Sequence, residues 1–260
     1  MTNLRGRFRD LHSSGTFLMP NPWDVGSAKM LIAQGFPALA TTSSGFAGSL
    51  GRTDQRVTRD ELLRHAEAMA GAAGEAGVPV NVDAENGFGD EPEQVATTAR
   101  LLAATTAAGF SIEDWDPVGR RIYPLELAVE RVVAAKAEAA DLVFTARAEN
   151  QLRQVADLDD TIARLQAYSA AGADVLYAPG LTAVADIQRV LAAVDKPLNV
   201  LVIPSAPSVQ ELTALGVRRI STGQGLAVAG YAALLRAADQ LRAGDYSYAA
   251  ADPNPLSLLD

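Results

Sequence analysis

Residues 78–116 read VPVNVDAENGFGDEPEQVATTARLLAATTAAGFSIEDWD, and this stretch holds one structural unit. Val78, Val80 and Val82 form a short apolar run that stops at Asp83. Pro92 stands where the first turn of a helix begins, an Ala-rich segment follows, and Gly109 closes it, which predicts a helix over 91–108. A second apolar run, 110–112, stops at Glu113. Strand, helix and strand in this order predict a parallel pair joined by a right-handed crossover.

The same rhythm continues in both directions. Apolar runs at 17–19, 38–42, 78–82, 110–112, 142–146, 175–177, 199–203 and 219–221 predict eight strands. Helical spacing predicts helices over 24–34, 58–76, 91–108, 124–139, 157–171, 182–194, 208–215 and 224–242. Thr58 followed by Glu61 has the capping-box spacing. Repeated β-α units of about 30 residues, with no composition break to mark a linker, predict one (β/α)₈ barrel of the TIM type. The domain reading is 1–260, a single barrel with a C-terminal helical extension. The competing reading is an open doubly wound sheet, but no G-x-G-x-x-G follows the first run.

Composition removes several function classes. The chain has 260 residues and no Cys, so a disulfide scaffold, a Cys-based zinc site, an iron–sulfur cluster and a Cys nucleophile are excluded. With 22 Lys and Arg against 31 Asp and Glu, the net charge of −9 argues against a general nucleic-acid or anionic-membrane binder. Residues 1–10 are polar and basic and no apolar targeting segment follows. The apolar stretches fall well short of the roughly 18 residues that a membrane helix needs. The expectation is a soluble, cytoplasmic protein.

A barrel places its chemistry at the C-terminal ends of its strands. Asp83, Glu85, Glu113 and Asp114 stand at two adjacent strand ends. Carboxylates crowded at one rim either rise in pKa or share a cation, and a donor set of oxygens alone suits Mg²⁺ or Mn²⁺. The alternative for Asp114 and Asp116 is helix capping. Arg147 ends the next strand, where it serves either as a bidentate clamp for a substrate carboxylate or as an ion-pair partner of Glu149 or Glu113. Ser43-Ser44-Gly45 offers hydroxyls and backbone N–H groups to an anion. Trp23 and Trp115 flank the expected mouth, whereas His12 and His65 fall outside the strand ends and are read as structural or solvent-facing.

These residues resemble the isocitrate lyase / phosphoenolpyruvate mutase superfamily over about residues 15–245. The carriers are Asn21-Pro22-Trp23-Asp24, Thr42-Ser43-Ser44-Gly45, Gly51-Arg52-Thr53-Asp54, Val82-Asp83-Ala84-Glu85-Asn86-Gly87-Phe88-Gly89, Ile112-Glu113-Asp114 and Thr145-Ala146-Arg147-Ala148-Glu149. The resemblance implies a barrel whose last helix is exchanged between subunits of a homo-oligomer, a dimer or tetramer. It implies Mg²⁺ at Asp83, Glu85 and Glu113, with Asp54 near the metal's water shell. It implies a pyruvate-like oxyacid on Ser43, Ser44, Gly45 and Arg147, and chemistry through a metal-stabilised enolate.

Departures from the family narrow that chemistry. The lyases' Lys-(Lys/Arg)-Cys-Gly-His loop is missing, because Glu113 is followed by Asp114-Trp115-Asp116-Pro117-Val118-Gly119-Arg120-Arg121-Ile122-Tyr123-Pro124. That segment also lacks the mutases' Asn, and the family's Glu after the sixth strand is replaced by Ala178-Pro179-Gly180. Decarboxylation of a 2-oxo acid survives these losses, since expelling CO₂ needs no protein base. The resulting expectation is a Mg²⁺-dependent carbon–carbon lyase acting on a small 2-oxo dicarboxylic acid such as oxaloacetate or 2-oxoglutarate. Asp54, Arg147 and Tyr123 are its catalytic candidates, and Trp23, Ser43, Ser44, Gly45, Asp83, Arg147 and Asn199 its substrate contacts. The alternatives are a phosphonopyruvate-type mutase or hydrolase, and a 2-oxo acid binding protein without turnover. Arg120 and Arg121 would reach a distal carboxylate if their loop folds over the mouth.

Overall fold

The run of alternating valines ending at Asp83 becomes one strand of an eight-stranded parallel sheet in the computed structural model. The structure describes residues 3–250 and 254–259; residues 1, 2, 251–253 and 260 of the single-domain reading lie outside the described residues. In chain order the elements begin α1 (Leu4–Leu11), β1 (Phe17–Met19), α2 (Val25–Ala33), β2 (Leu39–Ala40), α3 (Ser43–Ser49), α4 (Arg59–Glu75) and β3 (Val80–Asp83). Next come α5 (Pro92–Ala103), β4 (Gly109–Glu113), β5 (Trp115–Asp116), β6 (Arg121–Ile122), α6 (Leu125–Glu138) and β7 (Val143–Arg147). The chain continues through α7 (Leu158–Ala170), β8 (Val175–Tyr177), α8 (Val184–Ala193), β9 (Leu198–Leu201), α9 (Val209–Leu215), β10 (Arg219–Ser221) and α10 (Gly225–Arg242), followed by short 3₁₀ turns.

The sheet order β1-β10-β9-β8-β7-β4-β3-β2 is the cyclic order of a barrel. Its ends meet where the Ala40 N–H donates to the Pro20 carbonyl at 3.1 Å and Asn21 Nδ2 donates to the Thr41 carbonyl at 2.8 Å. All eight expected barrel strands are present, so the (β/α)₈ expectation holds.

Alternation along the strands separates two apolar layers. Outward residues, among them Val82, Phe110, Phe144, Leu176, Leu198 and Ile220, pack under the helices with Leu62, Met69, Leu102 and Leu165. Inward residues Phe17, Met19, Ala38, Ala40, Val143 and Val175 join Phe8 of α1 as a small separate cluster at the barrel floor. Gly109 is required there, because a Cβ would lie 2.6 Å from the Val143 carbonyl and 2.7 Å from Phe8 Cε1. Truncating a buried leucine such as Leu62 is expected to cost about 2–5 kcal/mol.

Several boundaries differ from the expectation, each for a local reason. The helix expected over 91–108 stops at Ala103, since Thr105 Oγ1 donates to the Leu102 carbonyl and the Ala108 N–H already belongs to the sheet, bonding the Val80 carbonyl. The strand expected over 38–42 is shorter because Thr42 turns into the N-cap of α3, its side chain accepting from the Gly45 N–H. The 115–122 segment, expected as a plain loop, is a β5–β6 hairpin held by Asp116 Oδ1, which accepts from the N–H groups of Val118 and Gly119. Helix α1, absent from the sequence reading, closes the barrel floor with Phe8. No helix among the described residues is long and apolar enough to cross a membrane.

Candidate active site

A cavity of about 150 Å³ opens at the C-terminal ends of the strands. Ser43, Ser44, Asp54, Asp83, Arg147 and Tyr177 line its upper part, and Asn81, Ser111, Asn199 and Arg219 line its lower part. The four lower residues occupy strand positions alternating with outward residues such as Val82, Phe110, Leu198 and Ile220, which is why a barrel interior can be polar here.

Asp83 is fixed by both neighbouring segments. Its backbone N–H donates to Thr41 Oγ1 at 2.9 Å, and its Oδ2 accepts from the Ser43 N–H at 3.0 Å. Its Oδ1 accepts from Arg147 Nη1, also at 3.0 Å. Glu149, fully buried, holds the other side of that guanidinium through Nε at 3.2 Å and Nη2 at 2.7 Å. Nη2 also lies 3.1 Å from Glu113 Oε2. The sequence reading left Arg147 as a clamp or an ion-pair partner, and the structure shows it paired with Glu149, Glu113 and Asp83 at once.

Negative charge exceeds positive in this cluster. Among the described residues, Asp54, Asp83, Glu85, Glu113 and Glu149 face Arg147 and Arg153 as their cations, the latter 3.3 Å from Glu113 and 3.1 Å from Glu149. Burial, reinforced by Asp83 and Asp54, pushes Glu85 up to about 8. Burial and Glu149 hold Glu113 well above the usual carboxylate range. Burial first, then Asp83, raises Asp54. Burial presses on Arg147, but Glu149, Glu113 and Asp83 outweigh it and hold the guanidinium firmly protonated. Glu85 Oε1 is buried without a hydrogen-bond partner, and Glu85 sits at φ +49°, with its carbonyl accepting from the Glu113 N–H at 2.8 Å. Crowded oxygen donors, excess negative charge and an orphaned carboxylate oxygen fit a divalent cation.

Not every expected residue reaches the cavity. Trp23 packs against Tyr231 of α10, with ring centroids 6.2 Å apart, and does not line it. Gly45 sits behind it, where a Cβ would lie 2.6 Å from Thr42 Cγ2 and 2.9 Å from Trp23 Cβ. Tyr123 is drawn the other way. Its hydroxyl donates to Asp90 at 2.5 Å and accepts from Asn86 Nδ2 at 3.1 Å, while Arg131 stacks on its ring and anchors the 86–90 loop through the carbonyls of Asn86, Gly89 and Asp90. Tyr123 thus supports the 86–90 loop and does not line the cavity. Asp114 is likewise a buried scaffold group, bound by Tyr168 at 2.6 Å, Arg164 and the Glu149 N–H. Glu85 and Glu113 stand beside the cavity rather than on its wall, and Asn199 lies on its floor with Oδ1 taken by Arg219. Arg120 and Arg121 are exposed on the hairpin.

Sequence reasoning missed Tyr177, Arg153, Gln55 and Arg219. Gln55 Nε2 donates to Glu113 Oε1 at 3.0 Å from a loop residue at φ +62°. Arg153 carries a readable signal, four residues after Glu149. Arg219 carries another, a charge at an inward position of a strand that was read as an apolar run. His12 and His65 are structural, as expected, and both are buried rather than facing solvent.

Comparison with known proteins agrees with this geometry. The phosphoenolpyruvate phosphomutase family model matches residues 8–242. A Burkholderia cenocepacia structure given the provisional name lyase/mutase is 46% identical, covers 97% of this chain and 93% of its own, and superposes with a TM-score of 0.91. An uncharacterized Mycobacterium tuberculosis protein is 35% identical over 92% of this chain and 90% of its own length. The oxaloacetate decarboxylase of Bradyrhizobium diazoefficiens is 30% identical over 81% of this chain and 73% of its own.

Proposed function

We infer the function from one premise: the chain belongs to the phosphoenolpyruvate phosphomutase family, within the isocitrate lyase / phosphoenolpyruvate mutase superfamily. Family membership makes it an enzyme of the lyase and mutase kind. Within that class we propose a Mg²⁺-dependent carbon–carbon lyase acting on a small 2-oxo dicarboxylic acid: it decarboxylates one with a β-carboxylate, such as oxaloacetate, and binds 2-oxoglutarate as a relative of that substrate. The observation that carries this reading is the arginine fixed by Glu149 and turned toward Asp83 at the wall of one small cavity, amid an excess of carboxylates.

Asp83, Glu85 and Glu113 would hold Mg²⁺ or Mn²⁺. When bound, such an ion supplies positive charge that draws electrons toward the substrate's 2-oxo oxygen. Arg147 receives the substrate's C1 carboxylate, its geometry set in advance by the Glu149 fork. Ser43 and Ser44 line the same end of the cavity from the start of α3, where the Ser44 hydroxyl, which donates to Gln224 Oε1 at 2.6 Å, would turn to the ligand. In oxaloacetate the bond from C3 to the distal carboxylate breaks, its electron pair passes into the enolate as CO₂ leaves, and C3 takes a proton from water or from Asp54 at the cavity wall. The β5–β6 hairpin carries no Cys, Asn or His, which supports a reaction needing no further acid or base there.

A thermal-shift panel of pyruvate, oxalate, oxaloacetate, 2-oxoglutarate and phosphonopyruvate with Mg²⁺, on the wild type and Asp83→Ala, tests the reading, with products followed by NMR. The expected result is Mg²⁺-dependent stabilisation by 2-oxo acids, lost in the variant, with pyruvate and CO₂ formed from oxaloacetate. Release of phosphate from phosphonopyruvate would select P–C chemistry instead, and binding without any product would select a binding protein.

A further inference from the structure

Arg219 is buried in the centre of the barrel, and among the described residues it pairs with no carboxylate. It leaves β10 and crosses the interior, because Nη2 donates to Thr145 Oγ1 on β7 at 2.9 Å while β9 and β8 lie between those strands. Nε donates to Asn199 Oδ1 at 2.9 Å, and Nη1 stands 3.4 Å from His12 Nε2. These contacts leave N–H groups on Nη1 and Nη2 unassigned. Arg219 lines the same cavity as Arg147 and Asp83. Burial lowers it toward about 9, so the guanidinium still carries its charge at neutral pH. A buried cation normally has an anion beside it.

Two polar neighbours share that space. Ser111 and Asn81 line the cavity, and Asn81 Oδ1 is buried without a hydrogen-bond partner among the described residues. A half-turn of the Asn81 amide presents its NH₂ group instead. Asn81 precedes Asp83 by two residues on β3, a rise of about 6.6 Å, which is the reach of a short dicarboxylate chain.

We propose that the cavity contains a second, anion-accepting subsite beneath the Asp83–Arg147 rim, in which Arg219, Asn81 and Ser111 receive the distal carboxylate of a dicarboxylate whose 2-oxo acid end lies at the rim. This inference rests on the 2-oxo acid reading of the rim and adds which end of the ligand goes down. A purely structural role, pinning α1 through His12, accounts for one face of the guanidinium but not for its place on the cavity wall.

Isothermal titration of the intact protein with Mg²⁺ separates these outcomes, using pyruvate and 2-oxoglutarate as 2-oxo acids without and with a distal carboxylate. The wild type is expected to prefer 2-oxoglutarate. Arg219→Gln is expected to weaken 2-oxoglutarate at least about tenfold and to leave pyruvate within about twofold. Asn81→Asp, which keeps the side chain's size and puts a negative charge on the cavity wall that Arg219 also lines, is expected to abolish the same preference. Equal weakening of both ligands, or an unchanged ratio in both variants, would overturn the subsite while leaving the rim reading intact. A wild type that binds pyruvate at least as well as 2-oxoglutarate does the same. A wild type that binds neither overturns the rim reading, and the subsite with it.

Discussion

Glu149, with no solvent exposure, grips Arg147 by two hydrogen bonds, 3.2 Å to Nε and 2.7 Å to Nη2. The same guanidinium balances Glu113 and Asp83, so removing it unbalances three carboxylates at once. Arg147→Ala is expected to abolish 2-oxo acid turnover and to destabilise the fold by about 3–5 kcal/mol at neutral pH, the scale of breaking a buried pair. The pH dependence fixes the sign. Glu113 already titrates above its ordinary 4.5 in the folded chain, and losing Arg147 raises it further. A group raised on folding stabilises at low pH and loses that contribution as pH rises. Denaturant melts of wild type and variant should therefore converge as pH is lowered toward the ordinary carboxylate range and diverge as it is raised. Parallel curves would mean that Arg147 does not balance Glu113.

Glu85 supplies the metal test. Its buried, unpartnered Oε1 and upward shift to about 8 describe a carboxylate with too little positive charge nearby. Mg²⁺ or Mn²⁺ is expected to raise the melting temperature saturably, worth about 2.7 kcal/mol at a concentration 100 times Kd. Binding displaces protons, so the apparent affinity should increase between pH 6 and 8. Glu85→Gln removes the charge while keeping the shape, and it should flatten both the stabilisation and its pH dependence. Metal stabilisation unaffected by Glu85→Gln would move the ion away from this cluster.

His65 stacks on Phe46 with centroids 3.9 Å apart, and burial lowers it from 6.5 to about 4. Above pH 6.5 the imidazole is neutral in both folded and unfolded chains. Between 6.5 and about 4 the unfolded chain takes a proton that the folded chain refuses, so stability falls with pH in that window and levels off below it. His65→Phe keeps a ring against Phe46 and removes the titration. Relative to the wild type, the variant should gain roughly 3 kcal/mol on going from pH 7 to 4, read by urea denaturation at each pH. A constant difference across that range would show that His65 titrates normally.

The sequence revealed the barrel because each unit obeys a local rule: Val80 and Val82 alternate outward with Asn81 and Asp83 inward, and Pro92 starts α5. It pointed to Asp83 and Arg147 because polar residues at strand ends have few other reasons to be there, whereas Asp54, in the loop after α3, was offered only by the family resemblance. The direction of Tyr123 was not legible because it depends on Asp90 and Arg131, which approach it from a different strand's loop and from α6. Glu149 and Glu113 were offered as alternative partners of Arg147, and the structure shows that the guanidinium meets both. Arg219 went unread for a different reason, since one charge among Ile220 and Ser221 looks like an ordinary strand start until the barrel closes around it.

Helix α10 provides the last test. Val228, Leu234, Leu235 and Leu241 are all more than half exposed, Leu235 at 67%, and Ala227 is the helix's sole buried residue among those described. Its contacts with the barrel are thin, Tyr231 beside Gly48 and Trp23 near Gly230. An apolar stripe of this kind on a helix of 18 residues is costly to leave in water. Helix exchange between subunits, as the family resemblance implies, would cover it. The wild type is expected to run as a dimer or tetramer by size-exclusion with light scattering. Leu234→Asp combined with Leu235→Asp should yield monomers, with the far-ultraviolet circular dichroism of the barrel retained. Both substitutions point away from the cavity, so loss of assembly with intact binding of pyruvate and Mg²⁺ would place α10 at the interface alone. A wild type that is monomeric at micromolar concentration would rule out the exchange.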